Sequence, residues 1–361
     1  MRNVARSFFF GTLLLGGLAA PAVSQTPALP AGPKVSITAA TQPNSNFPQY
    51  TLVDIPILRD GVAQKSNGRI EVKLASWPEM NLSGPEIIRV VRSGQLDIGT
   101  ASVNTVAGDV PFLDGIDLPG LLPDLEVARK VSDALIPIAN KELERFNVRI
   151  VSIIPYSAQV LFCRKPISGF ADLKGLKVRS ASPSLNDLLT GIGAQPVVVN
   201  FAEVYGALER GVVDCGVTGT GSGNAARWYE VSTHMYTLPL GWSLAGYYVN
   251  LSWWNGLDPA VRNFMAAVLN DVDKAQWTVG ADVTQDAIEC NTGNAAGCKL
   301  HTLVTRNPMK EIKPTQADKD VAAKVLSQTV LPSWVKRCGA RCGEIYNEVV
   351  APITKVRYTP Q

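Results

Sequence analysis

The feature that most constrains the fold of this chain is a pattern that occurs twice, at residues 86–102 and 203–219. The two copies share four residue types at a constant offset: Glu86 and Glu203, Gly94 and Gly211, Asp97 and Asp214, Gly99 and Gly216. Each copy is typical of a helix that ends at a C-cap glycine and is followed by a short apolar strand. The repetition predicts two lobes of like construction, because the copies lie too far apart for a solenoid.

The residues that precede the two copies match as well. Ser83 stands before Glu86 as Asn200 stands before Glu203, at the spacing of an N-cap and its N3 partner. A side chain of this type at the first position satisfies free backbone N–H groups of the helix that follows. We therefore predict that Ser83 and Asn200 both cap helices.

Strand patterns alternate with helix patterns through most of the chain, which favours α/β layers with mainly parallel sheets. A chain of 361 residues is long enough to divide into two lobes with separate cores. Residues 258–289 begin with Asp-Pro and are predicted to form one long helix capped by Asp258. Because this helix is longer than one small lobe needs, we expect it to run along both.

Residues 1–24 have the composition of a signal peptide. Arg2 and Arg6 precede an apolar run that is short for a membrane span, and small residues precede Gln25 as at a cleavage site. No later segment is apolar for long enough to cross a bilayer. We predict a periplasmic protein, secreted through this signal peptide, with no direct membrane insertion after its cleavage.

The charge of the chain excludes one class of partner. The net charge is +3, and loss of Arg2 and Arg6 leaves +1 because residues 1–24 contain no acid. A chain so close to neutral has no basic stripe for nucleic acid and no polybasic face for anionic lipid. We predict no nucleic-acid partner.

The six cysteines of an exported chain predict disulfide bonds. Because short loops close easily, we favour the local pairs Cys290–Cys298 and Cys338–Cys342. The sequence leaves open whether Cys163 and Cys215 pair or remain buried thiols. A zinc site is a weaker alternative, since neither short spacing is C-x-x-C and the two histidines lie far apart.

Arg179 stands near the end of "FADLKGLKVRS", residues 170–180, where a strand pattern stops and a helix pattern begins. In open α/β sheets this edge is where ligands bind, and the helix N-terminus adds free N–H groups and positive potential. Arginine also fits a carboxylate through two parallel hydrogen bonds. The sequence favours a bound carboxylate as its partner, while a salt bridge to Asp172 or Asp187 is the structural alternative.

A glycine run and several aromatic residues surround this position. The run "GVTGTGSGN", residues 216–224, lacks the lysine of a phosphate loop, so it indicates either close backbone approach to a small ligand at Gly219 or a plain mobile loop. Trp77, Phe201 and Trp242 are candidates for the wall of a ligand site, and core packing is the alternative for each. Phe201 opens a helix at a strand exit, which favours the first interpretation.

Motifs of catalysis are missing from the sequence. It contains no G-x-S-x-G turn, no H-E-x-x-H motif, and no Cys–His arrangement that spacing would single out. We predict that the protein is not an enzyme and that it uses no cofactor and no metal ion.

Two stretches carry a resemblance to a known family. "GFADLKGLKVRS" and the later "GAQPVVVNFAEVYGALERGVVDC" resemble the solute-binding proteins of tripartite ATP-independent periplasmic (TRAP) transporters, the dicarboxylate-binding family. The pattern F-x-D-L-K-G-x-K-x-R, followed by E-V-Y-x-A-L-x-x-G-x-V-D, is specific, and a looser likeness extends over residues 34–320. The resemblance implies a binding protein that closes on an organic acid and delivers it to TRAP membrane subunits.

The resemblance also implies roles for individual residues. The selectivity arginine of the family falls on Arg179, and Ser182 follows it on the helix cap. Phe201 takes the position of an aromatic residue that touches the ligand. Ser102 lies at the strand exit of the first lobe, where it is expected to face the same site.

Two positions depart from the family pattern. Gln159 stands where the family often carries a second arginine, and Thr218 stands where an asparagine is common. One cation fewer, together with a glycine-rich wall, favours a monoacid with an apolar or aromatic body over a compact diacid. Alternative functions are an exported enzyme and the ligand-binding component of a sensor, either acting on a carboxylate.

The fold class that follows is α/β, a two-lobed periplasmic binding protein of the type II-like kind. We expect each lobe to be a mainly parallel sheet flanked by helices, with hinge strands near residues 155–159 and 243–248 and a long helix spanning both lobes. Lobe I is predicted to comprise residues 34–157 and 246–284. Lobe II is predicted to comprise residues 158–245 and 285–361, and is therefore discontinuous.

Overall fold

The computed structural model describes residues 26–360, so the predicted signal peptide lies outside the described residues. Its strands, in chain order, are β1 (Val35–Ala40), β2 (Ile70–Ala75), β3 (Ile98–Ser102), β4 (Val148–Ile154), β5 (Gln159–Cys163), β6 (Lys177–Ser180), β7 (Gln195–Val198), β8 (Cys215–Gly219), β9 (His234–Tyr236), β10 (Ala245–Asn250) and β11 (Lys310–Ile312). None of the helices in this part of the chain is both long and apolar enough to cross a bilayer.

The helices lie between and after these strands. They are α1 (Val62–Lys65), α2 (Ile87–Arg92), α3 (Leu125–Leu143), α4 (Pro183–Gly191), α5 (Val204–Glu209), α6 (Thr220–Ala225), α7 (Leu251–Gly256), α8 (Pro259–Asn291), α9 (Gln316–Val325), α10 (Leu331–Cys338), α11 (Ala340–Ile345) and α12 (Ala351–Thr354). The segments Tyr50–Gly61, Leu326–Val330 and Tyr346–Val350 are π-helical, and the first of them contains Pro56.

The strands form two sheets. The first has the order β2-β1-β3-β10-β4 and the second has the order β11-β9-β5-β8-β6-β7. One strand in each sheet runs antiparallel to both of its neighbours, β10 in the first and β5 in the second. The remaining strands of each sheet are parallel to one another, so the prediction of two mainly parallel sheets flanked by helices is confirmed.

The repeated pattern has the same role in both halves. Gly94 and Gly211 adopt φ values of +77° and +73° after α2 and α5, a conformation that favours glycine. Asp97 then accepts a hydrogen bond from the backbone N–H of Thr38 at 2.8 Å. Asp214 accepts the corresponding bond from Lys177 at 3.0 Å. Each aspartate thereby ties the start of the following strand to its parallel neighbour, which explains why both copies carry it.

The two predicted caps differ in outcome. Ser83 forms a capping box with Glu86, whose Oε2 accepts hydrogen bonds from Ser83 N at 2.8 Å and Oγ at 2.7 Å. Asn200 lies at the start of a short 3-10 turn, but its side chain makes no capping hydrogen bond, so that prediction was wrong. Asn200 is instead one of the residues that line the cavity described below.

The chain passes between the two sheets three times. Residues 155–158 connect β4 to β5, and residues 237–244 connect β9 to β10. Helix α8 makes the third passage: its first half packs on the first sheet through residues such as Phe264 and Val268. Farther along the helix, Thr284 Oγ1 accepts a hydrogen bond from Ala158 N, and the carbonyl of Thr284 accepts one from Thr220 Oγ1. The expected long helix that spans both lobes is therefore present.

The C-terminal helices contact both halves of the molecule. Trp334 of α10 donates from Nε1 to the carbonyl of Pro111 in the first half, at 2.9 Å. Arg337, also in α10, places Nη1 2.7 Å from Asp187 Oδ2 in the second half. Because residues 285–361 bridge the halves in this way, the division into lobe I and lobe II stays a prediction.

All six cysteines form disulfide bonds. Cys290 pairs with Cys298 and Cys338 pairs with Cys342, as the loop argument favoured. The pair that the sequence left open is also bonded: Cys163 of β5 lies directly opposite Cys215 of β8 in the antiparallel register. This disulfide therefore links β5, the antiparallel strand of the second sheet, to its neighbour β8 near the centre of that sheet.

We expect the Cys163–Cys215 bond to stabilise the protein more than the Cys338–Cys342 bond. The bonded cysteines are 52 residues apart in the first pair and 4 in the second, and a longer closed loop removes more entropy from the unfolded chain. Replacing both cysteines of a pair by alanine should lower the free energy of unfolding by roughly 4 and roughly 2 kcal/mol, respectively. Guanidinium chloride titrations of the two oxidised variants check this order, and a reversed order would contradict it.

Candidate functional site

A cavity of about 320 Å³ lies between the two halves of the molecule. The first half contributes residues around 77–85 and 102–108, and the second contributes residues around 179–186 and 198–202. The connecting segments contribute Tyr156 and Ser243. The cavity therefore lies where the C-terminal ends of β3 and β6 face each other, at the edge that α/β sheets use for ligands.

Arg179 is the charged group of this cavity. Its side chain is buried, with the residue 4% exposed, at the C-terminal end of β6. Nε donates to the carbonyl of Val199 at 2.9 Å, and Nη1 donates to the carbonyl of Val217 at 2.8 Å. These two bonds fix the plane of the guanidinium. Within residues 26–360 no protein acceptor bonds to its Nη2.

Neither of the acids considered as partners for Arg179 is bonded to it. Asp172 accepts hydrogen bonds from the backbone N–H and hydroxyl of Ser168, and Asp187 pairs with Arg337. Burial lowers the pKa of Arg179 to about 10, because removal from water disfavours the charged form. The group is still protonated at neutral pH. Among the described residues that line the cavity, no other side chain carries a formal charge.

Aromatic rings support the guanidinium and close one side of the cavity. The guanidinium carbon of Arg179 lies 5.8 Å from the ring centroid of Trp228, within the range of a cation–π contact. Phe201 packs on Trp228 with centroids 5.9 Å apart. Phe47 of the first half meets Phe201 edge to face at 6.4 Å and Tyr156 at 5.8 Å. This chain of rings joins the two halves beneath the site.

The N-terminus of α4 lies beside Arg179 and is held from the other half. Ser182 caps the helix by accepting a hydrogen bond from Leu185 N at 3.2 Å. Asp114 of the first half accepts bonds from Ser184 N at 3.2 Å and Ser184 Oγ at 2.7 Å. Asp114 is buried, and burial is the main cause that raises its pKa. Its contacts with α4 tie the two walls of the cavity together.

The wall from the first half combines apolar and polar groups. Trp77 is buried and fixed in place, since its Nε1 donates to the carbonyl of Thr100 at 3.0 Å. Leu82 and Pro85 extend the apolar part of this wall. Ser102, at the end of β3, also lines the cavity. The cavity is thus mainly apolar, with polar groups placed at a few points.

The structure brings seven of the nine predicted ligand residues together. The residues that line the cavity are Arg179, Gln159, Ser182, Phe201, Thr218, Ser102 and Trp77. Trp242 does not line it: its ring is buried and its Nε1 donates to the carbonyl of Leu122 at 3.1 Å, as a core tryptophan does. Gly219 does not line it either, because it faces Ser157 of the connecting segment, whose Oγ would lie 2.4 Å from an added Cβ.

The glycine run belongs to regular secondary structure rather than to a loop. Residues 215–219 form β8 and residues 220–225 form α6, so the run is not a mobile loop, and Thr218 and Ser222 within it line the cavity. A Cβ at Gly221 would lie 2.5 Å from the His301 ring, and one at Gly223 would lie 2.4 Å from Phe162. These glycines allow the close packing of α6 against its neighbours.

Among the lining residues that the sequence did not single out are three with polar side chains: Asn104, Tyr156 and Asn186. Asn104 follows β3 by two positions, so the strand-exit argument that selected Ser102 could have reached it. Tyr156 lies within the predicted hinge at 155–159. Asn186 lies in the first turns of α4, and no signal in the sequence distinguished it from other polar helix residues.

The sequence matches the bacterial extracellular solute-binding proteins of family 7, the DctP family, over residues 40–318. The match covers well over half of the chain. The chain belongs to this family. It is 26% identical over 234 residues to the 2,3-diketo-L-gulonate-binding periplasmic protein YiaO of Escherichia coli, an alignment that covers 64% of this chain and 71% of YiaO.

Solved structures show the same fold. DctP7 of Bordetella pertussis, an extracytoplasmic solute receptor that binds pyroglutamic acid, superposes with a TM-score of 0.75, at 21% identity, over 89% of this chain and 99% of DctP7. A TRAP periplasmic solute-binding protein of Desulfovibrio salexigens, solved with orotic acid, superposes with a TM-score of 0.77, at 20% identity, over 88% of this chain and 99% of that protein. The predicted two-lobed α/β fold is confirmed.

Membership of this family confirms the resemblance to TRAP solute-binding proteins. It also favours the main functional prediction, a binding protein for small carboxylates, over an exported enzyme or a sensor component. The family is one of solute receptors rather than enzymes, in agreement with the absence of catalytic motifs from the sequence. The ligand, the partners and the roles of single residues are separate questions.

Proposed function

We propose that this protein captures a small organic monocarboxylate in the cavity between its lobes, with Arg179 as the group that binds the carboxylate. The observation that carries the proposal is a buried guanidinium that lines a cavity and forms no salt bridge with any carboxylate of residues 26–360. A buried charge is costly to leave unpaired. A carboxylate in the cavity supplies the missing counter-charge and an acceptor for Nη2.

The geometry of Arg179 suits this role. The carbonyls of Val199 and Val217 hold Nε and Nη1, and the ring of Trp228 covers one face. The guanidinium is therefore fixed before the ligand arrives, so little side-chain entropy is lost on binding. In a site that excludes water, the charge-assisted hydrogen bonds to a carboxylate are stronger than at the surface.

The cavity favours one carboxylate over two. Gln159 and Thr218 both line it, and neither provides the second cation that a compact diacid would need. Trp77, Leu82 and Phe201 offer apolar surface to the rest of the ligand. Pyroglutamic acid and orotic acid, the compounds bound by DctP7 and by the Desulfovibrio salexigens protein, each carry a single carboxylate on a ring. A cyclic monoacid of this size is the ligand class that we propose.

The two lobes close on this ligand. We assign residues 34–157 and 246–284 to lobe I, and residues 158–245 and 285–361 to lobe II. Contacts between the lobes already exist: Asn46 Nδ2 donates to the carbonyl of Ala225 at 3.1 Å, and Ser184 Oγ donates to Asp114 Oδ1 at 2.7 Å. Movement about the segments 155–158 and 237–244 would open the cavity, and the ligand would shift the population towards the closed state.

The protein works outside the cytoplasm in this proposal. Residues 1–24 direct export and are removed, and the closed, loaded form delivers its acid to the membrane subunits of a TRAP transporter. Three disulfide bonds are consistent with an oxidising compartment such as the periplasm.

We expect Arg179→Ala to weaken the binding of the co-purified or preferred acid by about 2 to 4 kcal/mol, which is roughly 30-fold to 1,000-fold in Kd. The substitution removes one member of a desolvated charge pair. Isothermal titration calorimetry of the mature protein measures the change. Arg210→Ala, which alters an exposed arginine in the same half of the molecule, is the matched control and should leave Kd unchanged.

Retention of wild-type affinity in Arg179→Ala, with the control unchanged, would contradict the assignment of Arg179. An equal loss in both variants would point to a general effect of net charge rather than to a direct contact.

We also expect a thermal-shift screen to separate monoacids from diacids. Cyclic monocarboxylates should raise the melting temperature, because binding to the folded state alone stabilises it. Compact C4 diacids such as succinate should raise it less, since their second carboxylate would enter a cavity without a second cation. If only C4 diacids raised the melting temperature, that result would contradict the monoacid proposal.

A further inference from the structure

Ser243 has a backbone conformation that is unusual for its residue type. It lies in the segment 237–244, which connects the two sheets, and its φ is +49°. This left-handed region favours glycine, and among other residues asparagine, aspartate and histidine adopt it more readily than serine. A serine that its surroundings keep in this conformation is a candidate for a functional role, because such strain concentrates at ligand sites.

A buried carboxylate of the first half holds this conformation from both sides. Asp117 accepts a hydrogen bond from Trp242 N at 3.1 Å through Oδ1 and one from Leu244 N at 3.1 Å through Oδ2. Asp117 is buried, and the burial of a carboxylate is unfavourable unless hydrogen bonds compensate for it. The backbone on either side of Ser243 is therefore fixed, and the residue is held away from the more common φ values.

The hydroxyl group of Ser243 is free and has accessible surface. Ser243 is 8% exposed and lines the cavity that contains Arg179. Its Oγ makes no hydrogen bond with the described residues, and it is not one of the unpartnered side-chain atoms that protein encloses fully. Because the rest of the residue is buried, the open space in front of this hydroxyl is the cavity.

Ser243 lies on the side of the cavity remote from Arg179. Its segment is bonded to β5, since Gln159 N donates to a carbonyl of this segment at 2.8 Å. The guanidinium of Arg179 stays over β6, because it bonds to Val199 on one side and to Val217 on the other. In the sheet order β5-β8-β6, neighbouring strands lie about 4.8 Å apart, so β5 and β6 are about 10 Å apart. A carboxylate bound by Arg179 therefore leaves Ser243 next to the body of the solute.

We propose that Ser243 is a specificity-determining residue that forms a hydrogen bond with a polar group on the body of the solute, away from the carboxylate. This inference rests on the proposed function and narrows its ligand class. The preferred solutes are cyclic monocarboxylates that carry a carbonyl or hydroxyl group on the ring, because a serine hydroxyl can both donate and accept. Arg179 binds the carboxylate, and Ser243 selects among acids by their ring groups.

A purely structural role for Ser243 makes a different prediction. In that case the residue would only shape the connection between the sheets, and its replacement would change the affinity for every acid by a similar factor. The ratio of affinities for two acids that differ in a ring group separates the two roles, because Arg179 binds the carboxylate of both acids and its contribution cancels from the ratio.

The test uses matched pairs of acids, the full mature chain and the variant Ser243→Gly. Suitable pairs are pyroglutamate with cyclopentanecarboxylate and 4-hydroxybenzoate with benzoate. Calorimetry of the wild-type protein should give at least one pair in which the acid with the polar ring group binds about 10-fold or more tightly. In Ser243→Gly that ratio should fall to about 1. The melting temperature of this variant without solute should stay the same or rise, since glycine adopts a positive φ without strain.

Asn67→Gly is the matched control. Asn67 also has a positive φ, +50°, but it is exposed, lies between α1 and β2, and is not among the residues that line the cavity. This variant should keep the wild-type ratio of affinities, and it should likewise not lower the melting temperature. A ratio that fell equally in both variants would assign the effect to added backbone freedom and would contradict a direct contact by Ser243.

Four further results would overturn the inference. Equal wild-type affinity for both members of every pair that binds would show that no ring group is selected. An unchanged ratio in Ser243→Gly would show that another residue selects it. A lower melting temperature or a loss of folded structure in Ser243→Gly, measured by circular dichroism, would contradict the conformational argument. Failure of every acid to bind would overturn the proposed function itself, and the inference with it, and this result is distinguishable from the other three.

Discussion

The structure depends above all on the burial of one guanidinium that has no counter-charge among the described residues. Arg179 lies at the end of β6, held by two backbone carbonyls and covered by Trp228. Because an arginine stays protonated at neutral pH even when burial lowers its pKa, the protein cannot neutralise this site by losing a proton. The cost is offset when an anion enters. In the function that we propose, the loaded, closed state is for this reason favoured over the empty one.

The repeated helix–glycine–strand pattern explains how two separate sheets come to share one site. In each half, Gly94 or Gly211 ends a helix, and Asp97 or Asp214 fastens the next strand to its parallel neighbour. The strands built in this way are β3 and β8, and Ser102 at the end of β3 and Thr218 near the end of β8 line the same cavity. The segments next to the antiparallel strands, together with α8, carry the chain between the halves. Asp114 of the first half also accepts hydrogen bonds from Ser184, at the N-terminus of α4 in the second half.

Local signals in the sequence were sufficient to predict the two sheets, the long helix, two of the disulfides and the position of Arg179 at the end of a strand. They failed where the outcome depends on packing between distant segments. Trp242 was expected at the ligand because aromatic residues cluster near the cleft, yet its indole N–H is satisfied by the carbonyl of Leu122 and the ring is core. Asn104 and Asn186 were missed because their place beside the cavity becomes apparent only once distant elements of the chain have converged.

The most direct measurement of the central claim is a crystal structure of the mature protein with the acid that it retains through purification. The account predicts that a carboxylate oxygen of this acid lies about 3 Å from Arg179 Nη2, with the ligand enclosed by both lobes. A solute bound away from this cavity would contradict the account. So would an Arg179 side chain that has turned to pair with an aspartate or glutamate of the protein while the acid remains bound.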